Sequence, residues 1–198
     1  AIRAAQLGMS VACIDAWDKA GKPAPGGTCT NVGCIPSKAL LQSSEHYEHA
    51  NKHFADHGIS TTGLKMDVNK MIARKDEVVK QNNDGILYLF KKNKVSFFHA
   101  TGSFAAAKDG GYEIAVGGAK PETLQAKQVI IATGSSARAL PGTPFDEETI
   151  LSNDGALATA TPLILASIYQ YEGQLQFVSA RTGEPCLRCL WPELPAPD

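Results

Sequence analysis

Three things are scarce in this chain, and each scarcity removes a class of function. Long apolar runs are missing: nothing approaches the roughly 18 to 20 residues that span a bilayer, and the start shows no basic stretch followed by an apolar one. An excess of one charge is missing too, since 19 Lys and Arg stand against 20 Asp and Glu. Neither a nucleic acid nor a membrane surface is therefore called for as a partner. Cysteine is sparse: five residues, an odd number, fall as a single Cys13 and two close pairs, unlike the even framework of a secreted disulfide scaffold. A cytoplasmic setting is the default, where close pairs point to catalysis or metal. No Met opens the chain, which starts inside a helical pattern and reads as a fragment. What remains is an ordinary globular composition of 198 residues, 43% hydrophobic and 20% charged, enough for one domain or two small ones.

The first cysteine pair lies in Gly26-Gly27-Thr28-Cys29-Thr30-Asn31-Val32-Gly33-Cys34-Ile35-Pro36-Ser37-Lys38. Two cysteines this close are a redox couple, half of a metal site or two unrelated thiols. Gly26 and Gly27 let the backbone turn tightly and approach a ligand. Pro36 suits the first turn of a helix that 37–42 continue, which places Cys34 at or near a helix N-terminus. Amide dipoles there favour an anion, so a thiol ionises more readily, and ionised sulfur is the species that exchanges disulfides.

Upstream, residues 1–8 read as the end of a helix stopped by Gly8, and 10–15 as a buried strand ending in Asp15. Helix, glycine, apolar strand and terminal acid make the second half of a dinucleotide-binding βαβ unit, in which the acid accepts hydrogen bonds from a ribose. An ordinary carboxylate at a strand end fits the spacing as well. Cys13 is a small core residue, and 17–25 a polar loop. Residues 39–54 read as helix, with His46, His49, His53 and His57 along one side. Two histidines four apart can share a metal, but no acid or cysteine completes a ligand set. A second long helix is expected over 67–94, and strands over 95–104, 112–116 and 127–132. The last is continuously apolar and β-branched, as in a parallel sheet covered on both faces. It runs into Thr133-Gly134-Ser135, beyond a strand's carboxyl end, where open α/β sheets bind ligands.

The thirteen-residue stretch resembles the active-site signature of the flavin-dependent disulfide oxidoreductases. With Ala39-Leu40-Leu41, Asn82-Asn83-Asp84-Gly85-Ile86 and Ile150-Leu151-Ser152-Asn153-Asp154-Gly155-Ala156-Leu157 added, it is most similar to the dihydrolipoamide dehydrogenase branch. The resemblance implies an α/β chain. Residues 1–158 would be a truncated Rossmann-like FAD-binding domain with an inserted antiparallel β segment and a helical excursion, missing the glycine-rich pyrophosphate turn ahead of Ala1. It implies that Cys29 is the interchange thiol toward dihydrolipoamide and Cys34 the thiolate beside the flavin. Electrons would then pass to FAD and on to NAD. It places Asp15 at the flavin-ribose acid, Gly27, Thr28 and Lys38 in cofactor-binding positions, Gly102 at a backbone contact to the adenine end, and Thr133, Gly134 and Ser135 at a second flavin contact. The partners implied are dihydrolipoamide on a lipoyl carrier domain and a second copy in a homodimer. The family's catalytic base is a histidine of a C-terminal dimerisation domain, so none of the five histidines takes that role. No NAD-linked turnover is expected of this chain alone.

Beyond residue 158 the text changes. Ser167-Ile168-Tyr169-Gln170-Tyr171-Glu172-Gly173-Gln174-Leu175 and Pro185-Cys186-Leu187-Arg188-Cys189-Leu190 resemble the adenylating enzymes that activate ubiquitin-like sulfur carriers in molybdopterin and thiamine synthesis. In those, four thiolates hold a structural zinc, so Cys186 and Cys189 would be half of such a site. The expectation is a composite: a partial flavin domain over 1–158 joined to an unrelated short tail over 162–198. Two further readings stand beside the flavoenzyme. One is an ATP-dependent adenylyltransferase represented by the tail, the other a non-catalytic redox or zinc-linked interaction module.

Overall fold

The structure, a computed structural model, describes residues 1–108, 110–118, 120–158, 163–169 and 172–178. Cys186 and Cys189, with the half zinc site expected of them, lie outside the described residues. The chain divides into two compact units.

The first unit comprises Ala1–Pro36 and Glu77–Ser136. Helix α1 (Ile2–Gln6) ends as expected, with Gly8 just beyond it at φ +86°. Strand β1 (Ala12–Asp15) follows and pairs in parallel with β4 (Ser96–His99), Ala12 opposite Ser96 and Asp15 opposite His99. The sequence predicts a buried strand here. Its residues are in fact exposed or half-buried, and β1 pairs with one described strand. Between β1 and the redox stretch, the expected loop contains a small hairpin of β2 (Asp18–Lys19) and β3 (Lys22–Pro23). Its turn residues, Ala20 and Gly21, both have positive φ, the geometry that matches strand twist in two-residue turns. Strands β5 (Gly102–Lys108), β6 (Gly111–Val116) and β7 (Glu122–Ala126) form an antiparallel sheet in sequence order, the expected β insertion.

Residues 127–132 are not a strand. Ile130 is 87% exposed and Ile131 71%, and no described strand borders them. A β-branched run becomes a strand only where a neighbour takes up its backbone N–H and C=O groups.

Two long helices follow in sequence from the redox stretch. Helix α3 (Cys34–Lys52) starts with Cys34 itself, with Pro36 fully buried in its first turn. Helix α4 (Val68–Lys92) buries Lys75, Val79, Asn83 and Phe90, a stripe at helical spacing in which two positions are polar.

The second unit comprises Ser37–Asp76 and Ala137–Asp198. Lys75 directs its Nζ to the Leu157 carbonyl at 2.7 Å, tying α5 (Asn153–Ala158) to α4, and lies 3.2 Å from Asp76 Oδ1. Arg74 donates to the Ala39 carbonyl and to Gln42 Oε1. After α3 a 3-10 turn (Phe54–His57) gathers His49, His53, His57 and Phe54 into a ring cluster, His49 lying 5.4 Å from His53 and 6.2 Å from His57. Among the described residues no group of His, Cys, Asp or Glu is placed to hold a metal. Farther on, β8 (Leu163–Tyr169) and β9 (Glu172–Val178) pair antiparallel over seven residues. No helix among the described residues is long and apolar enough to cross a membrane.

Candidate active site

Apart from Lys38, which belongs to the second unit, the described candidate residues lie within the first unit, where β1 ends. Asp15 uses both carboxylate oxygens on the backbone: Oδ1 accepts from Trp17 N–H at 2.9 Å and Oδ2 from Gly26 N–H at 3.4 Å. The acid thus closes the hairpin excursion that separates it from the redox stretch. At Gly26 the backbone takes φ +130°, and a Cβ there would collide with the Thr30 side chain, so glycine is required for both conformation and room. Gly27 follows at φ +64°, with open space where its Cβ would stand.

At this turn begins α2 (Gly27–Val32), a six-residue helix that carries Cys29. Gly33 separates it from α3, and a Cβ at Gly33 would come within 2.9 Å of the Thr28 carbonyl oxygen and 3.1 Å of Cys29 Cα. That close passage brings the two cysteines together. Cys29 and Cys34 form a disulfide with their Cα atoms 4.6 Å apart, and both residues are exposed. Of the three readings open for a close pair, the redox couple is the one this geometry supports.

Thr28 reaches across the chain to Ser135. Its hydroxyl donates to the Ser135 carbonyl at 3.0 Å and accepts from Ser135 Oγ at 3.1 Å. Thus two of the expected cofactor positions, 107 residues apart in sequence, are brought into contact. Thr133 and Gly134 lie beside them on exposed chain, Gly134 at φ +79°. Gly102 starts β5, and an added Cβ would sit 3.1 Å from Ile14 Cδ1 on β1. Lys38 is exposed on α3, one turn after Cys34.

Cys13 stands apart from the pair. Burial, reinforced by the negative charge of Asp15 and opposed by the amino terminus, raises its thiol above the usual range, which suits a packing role. Two residues that the sequence reading gave no role matter more. Asn31 donates to the carbonyls of Ala24 (2.9 Å) and Gly27 (3.1 Å), and buried Asn83 donates to the Pro25 carbonyl (2.9 Å) and to Asn31 Oδ1 (3.1 Å). Both stand in the segments that carry the family resemblance, which is the only sequence signal they gave.

These residues fit a flavin dinucleotide. A carboxylate sits at a parallel strand's carboxyl end, a two-glycine turn leaves its backbone open at Gly27, and a hydroxyl pair lies beside the disulfide. The family model described as pyridine nucleotide-disulphide oxidoreductase matches residues 1–166. A dihydrolipoyl dehydrogenase of Cupriavidus necator is 49% identical over 160 residues, which are 79% of this chain and 33% of that protein. Mitochondrial dihydrolipoyl dehydrogenase 1 of Arabidopsis thaliana is 46% identical over 158 residues, 80% of this chain and 30% of its own length. A leghemoglobin reductase of Vigna unguiculata is 45% identical over a similar span. The chain thus spans about a third of the curated relatives it matches. Among solved structures, LpdA from Mycobacterium tuberculosis has the same fold, with a TM-score of 0.66 at 22% identity, over 82% of this chain and 34% of that one.

Proposed function

The chain belongs to the pyridine nucleotide-disulphide oxidoreductase family, and from that premise we propose that its Cys29–Cys34 disulfide accepts two electrons from dihydrolipoamide and delivers them to FAD, with NAD as final acceptor in the parent enzyme. The exposed disulfide bridging α2 and the first residue of α3 is the observation that carries this reading.

The exchange balances within the chain and its substrate. One thiolate of dihydrolipoamide attacks Cys29 Sγ, the Cys29–Cys34 bond breaks, and Cys34 leaves as a thiolate favoured by the amide dipoles of α3. The second substrate thiol, after losing its proton, attacks the substrate sulfur of the mixed disulfide. Lipoamide departs as a cyclic disulfide and Cys29 is released as a thiol. Two electrons and two protons have left the substrate: the electrons reside on the cysteine pair, one proton is on Cys29 Sγ and the other is in solvent. FAD, when bound, supplies a two-electron acceptor for that dithiol and a donor to the nicotinamide. Asp15 would hold its ribose, Gly27, Thr28 and Lys38 the part near the disulfide, Gly102 the adenine end, and Thr133, Gly134 and Ser135 the second contact.

The proposed division is a flavin-binding domain over 1–158 and a distinct segment over 162–198. A lipoyl carrier domain and a second copy of the chain are the partners this assigns, in a cytoplasmic setting. The adenylyltransferase and zinc-module readings rest on 162–198, where Cys186 and Cys189 lie outside the described residues, and nothing in the first unit favours them.

The test is direct. The chain is incubated anaerobically with dihydrolipoamide, then alkylated and mapped by peptide mass, and in parallel is passed through gel filtration with FAD. New thiols at Cys29 and Cys34, together with retained flavin that Asp15→Ala abolishes, are expected. An unreduced pair, or flavin that washes off the unaltered chain, would overturn the proposal.

A further inference from the structure

The disulfide must open and close in every turnover, and when it is open α2 loses its side-chain cross-link to α3 and keeps only the backbone link through Gly33. A six-residue helix is far below the length that holds itself together in water, so something else must keep Cys29 in place. The two asparagines grip this segment at its start and along its length, besides the bonds between Asp15 and Gly26 and between Ser135 and Thr28. Between them, Asn31 and Asn83 carry four side-chain amide N–H protons, and all four are spent: on Ala24 O, Gly27 O, Pro25 O and Asn31 Oδ1. Three of these acceptors are carbonyls that surround Gly26, the residue at φ +130° from which α2 starts. The amide orientations are forced, since a flipped asparagine would set oxygen against oxygen. Asn83 itself is 5% exposed and sits on the buried stripe of α4, one turn from fully buried Val79. Its anchor is therefore rigid.

We propose that Asn83, acting through Asn31, is a positioning residue for the Cys29–Cys34 pair: it holds the turn at residues 24–27 and the start of α2 in the disulfide-ready geometry while the pair is reduced. This deepens the proposed function and rests on the reading of that pair as redox-active. The consequence is a high effective concentration of one thiol toward the other, which is what favours reclosure.

The experiment equilibrates the full chain with glutathione buffers of graded ratio and quantifies the 29–34 disulfide by alkylation and peptide mass. In the exchange two glutathiones are oxidised to one disulfide as the cysteine pair gains two electrons and two protons. Asn83→Ala is expected to lower the closure constant by about tenfold, equivalent to a potential about 30 mV less negative. Asn31→Ala, at a half-buried position, is expected to match it, and the double variant to add nothing. Val79→Ala is the control: it opens a hole in the same helix face without touching the network, so it should lower the melting temperature and leave the closure constant unchanged. A closure constant unaltered in Asn31→Ala, or shifted equally by Val79→Ala, overturns the proposal even if Asn83→Ala does not fold. Failure of the unaltered chain to exchange at all strikes instead at the redox reading.

Discussion

Side chains that answer to the backbone recur at single positions of this molecule. Asp146 is the most complete case: its Oδ1 accepts from the N–H groups of Glu148 (2.9 Å), Thr149 (2.8 Å) and Ile150 (2.7 Å). Those bonds, led by the one from Glu148, hold its carboxyl below the ordinary range. A lowered folded value means that the contribution is present above the unfolded value of about 3.9 and is lost as pH falls through the folded one. Carbon-13 titration of the Asp146 carboxyl should therefore give a midpoint under that figure. Amide exchange at 148–150 should quicken over the same range, and a midpoint at or above the ordinary value would refute the assignment. Asp15 shows the same habit with two N–H partners. Its spacing from Gly8 and the apolar run made it readable as a strand-end acid, whereas its bond to Gly26 was not, because a contact across eleven residues leaves no periodic trace.

At the scale of elements, what could be read and what could not separate along a physical line. Helix α4 announced itself through the spacing of Val79, Ile86 and their apolar neighbours, and α3 through Pro36 at its start. Both signals are local. Helix α2 gave none, since Gly, Thr, Asn and Val are indifferent or poor helix formers and its shape is imposed by Asn31, Asn83 and Gly33. Residues 127–132 erred the other way: their composition is that of a strand, but pairing is a property of two segments and not of one. The α2–α3 junction also yields a sharp expectation. In Gly33→Ala the new methyl would press on the Thr28 carbonyl and Cys29 Cα, backbone atoms that cannot swing aside. A loss of about 1 to 3 kcal/mol in chemical denaturation is expected, with slower closure of the disulfide. An unchanged midpoint would mean that the junction is looser than described.

For the whole molecule, the exposure of Ile130 and Ile131 has the largest practical effect. Residues that pack against nothing contribute little to stability, so replacing both with Thr should change the unfolding free energy by no more than about 0.5 kcal/mol while improving solubility. A loss several times larger would show that these side chains are covered in solution. The hydroxyl pair of Thr28 and Ser135 bears instead on the order of events during synthesis. The two residues are separated by 107 positions, and a ribosome adding about 5 to 20 residues per second needs roughly 5 to 20 s to travel from one to the other. For most of that interval Cys29 and Cys34 have been made, but Ser135, which holds Thr28 next to Cys29, has not. The thiols are therefore made well before the distant segment that completes their turn, so the pair can first close in a chain whose site is not yet assembled.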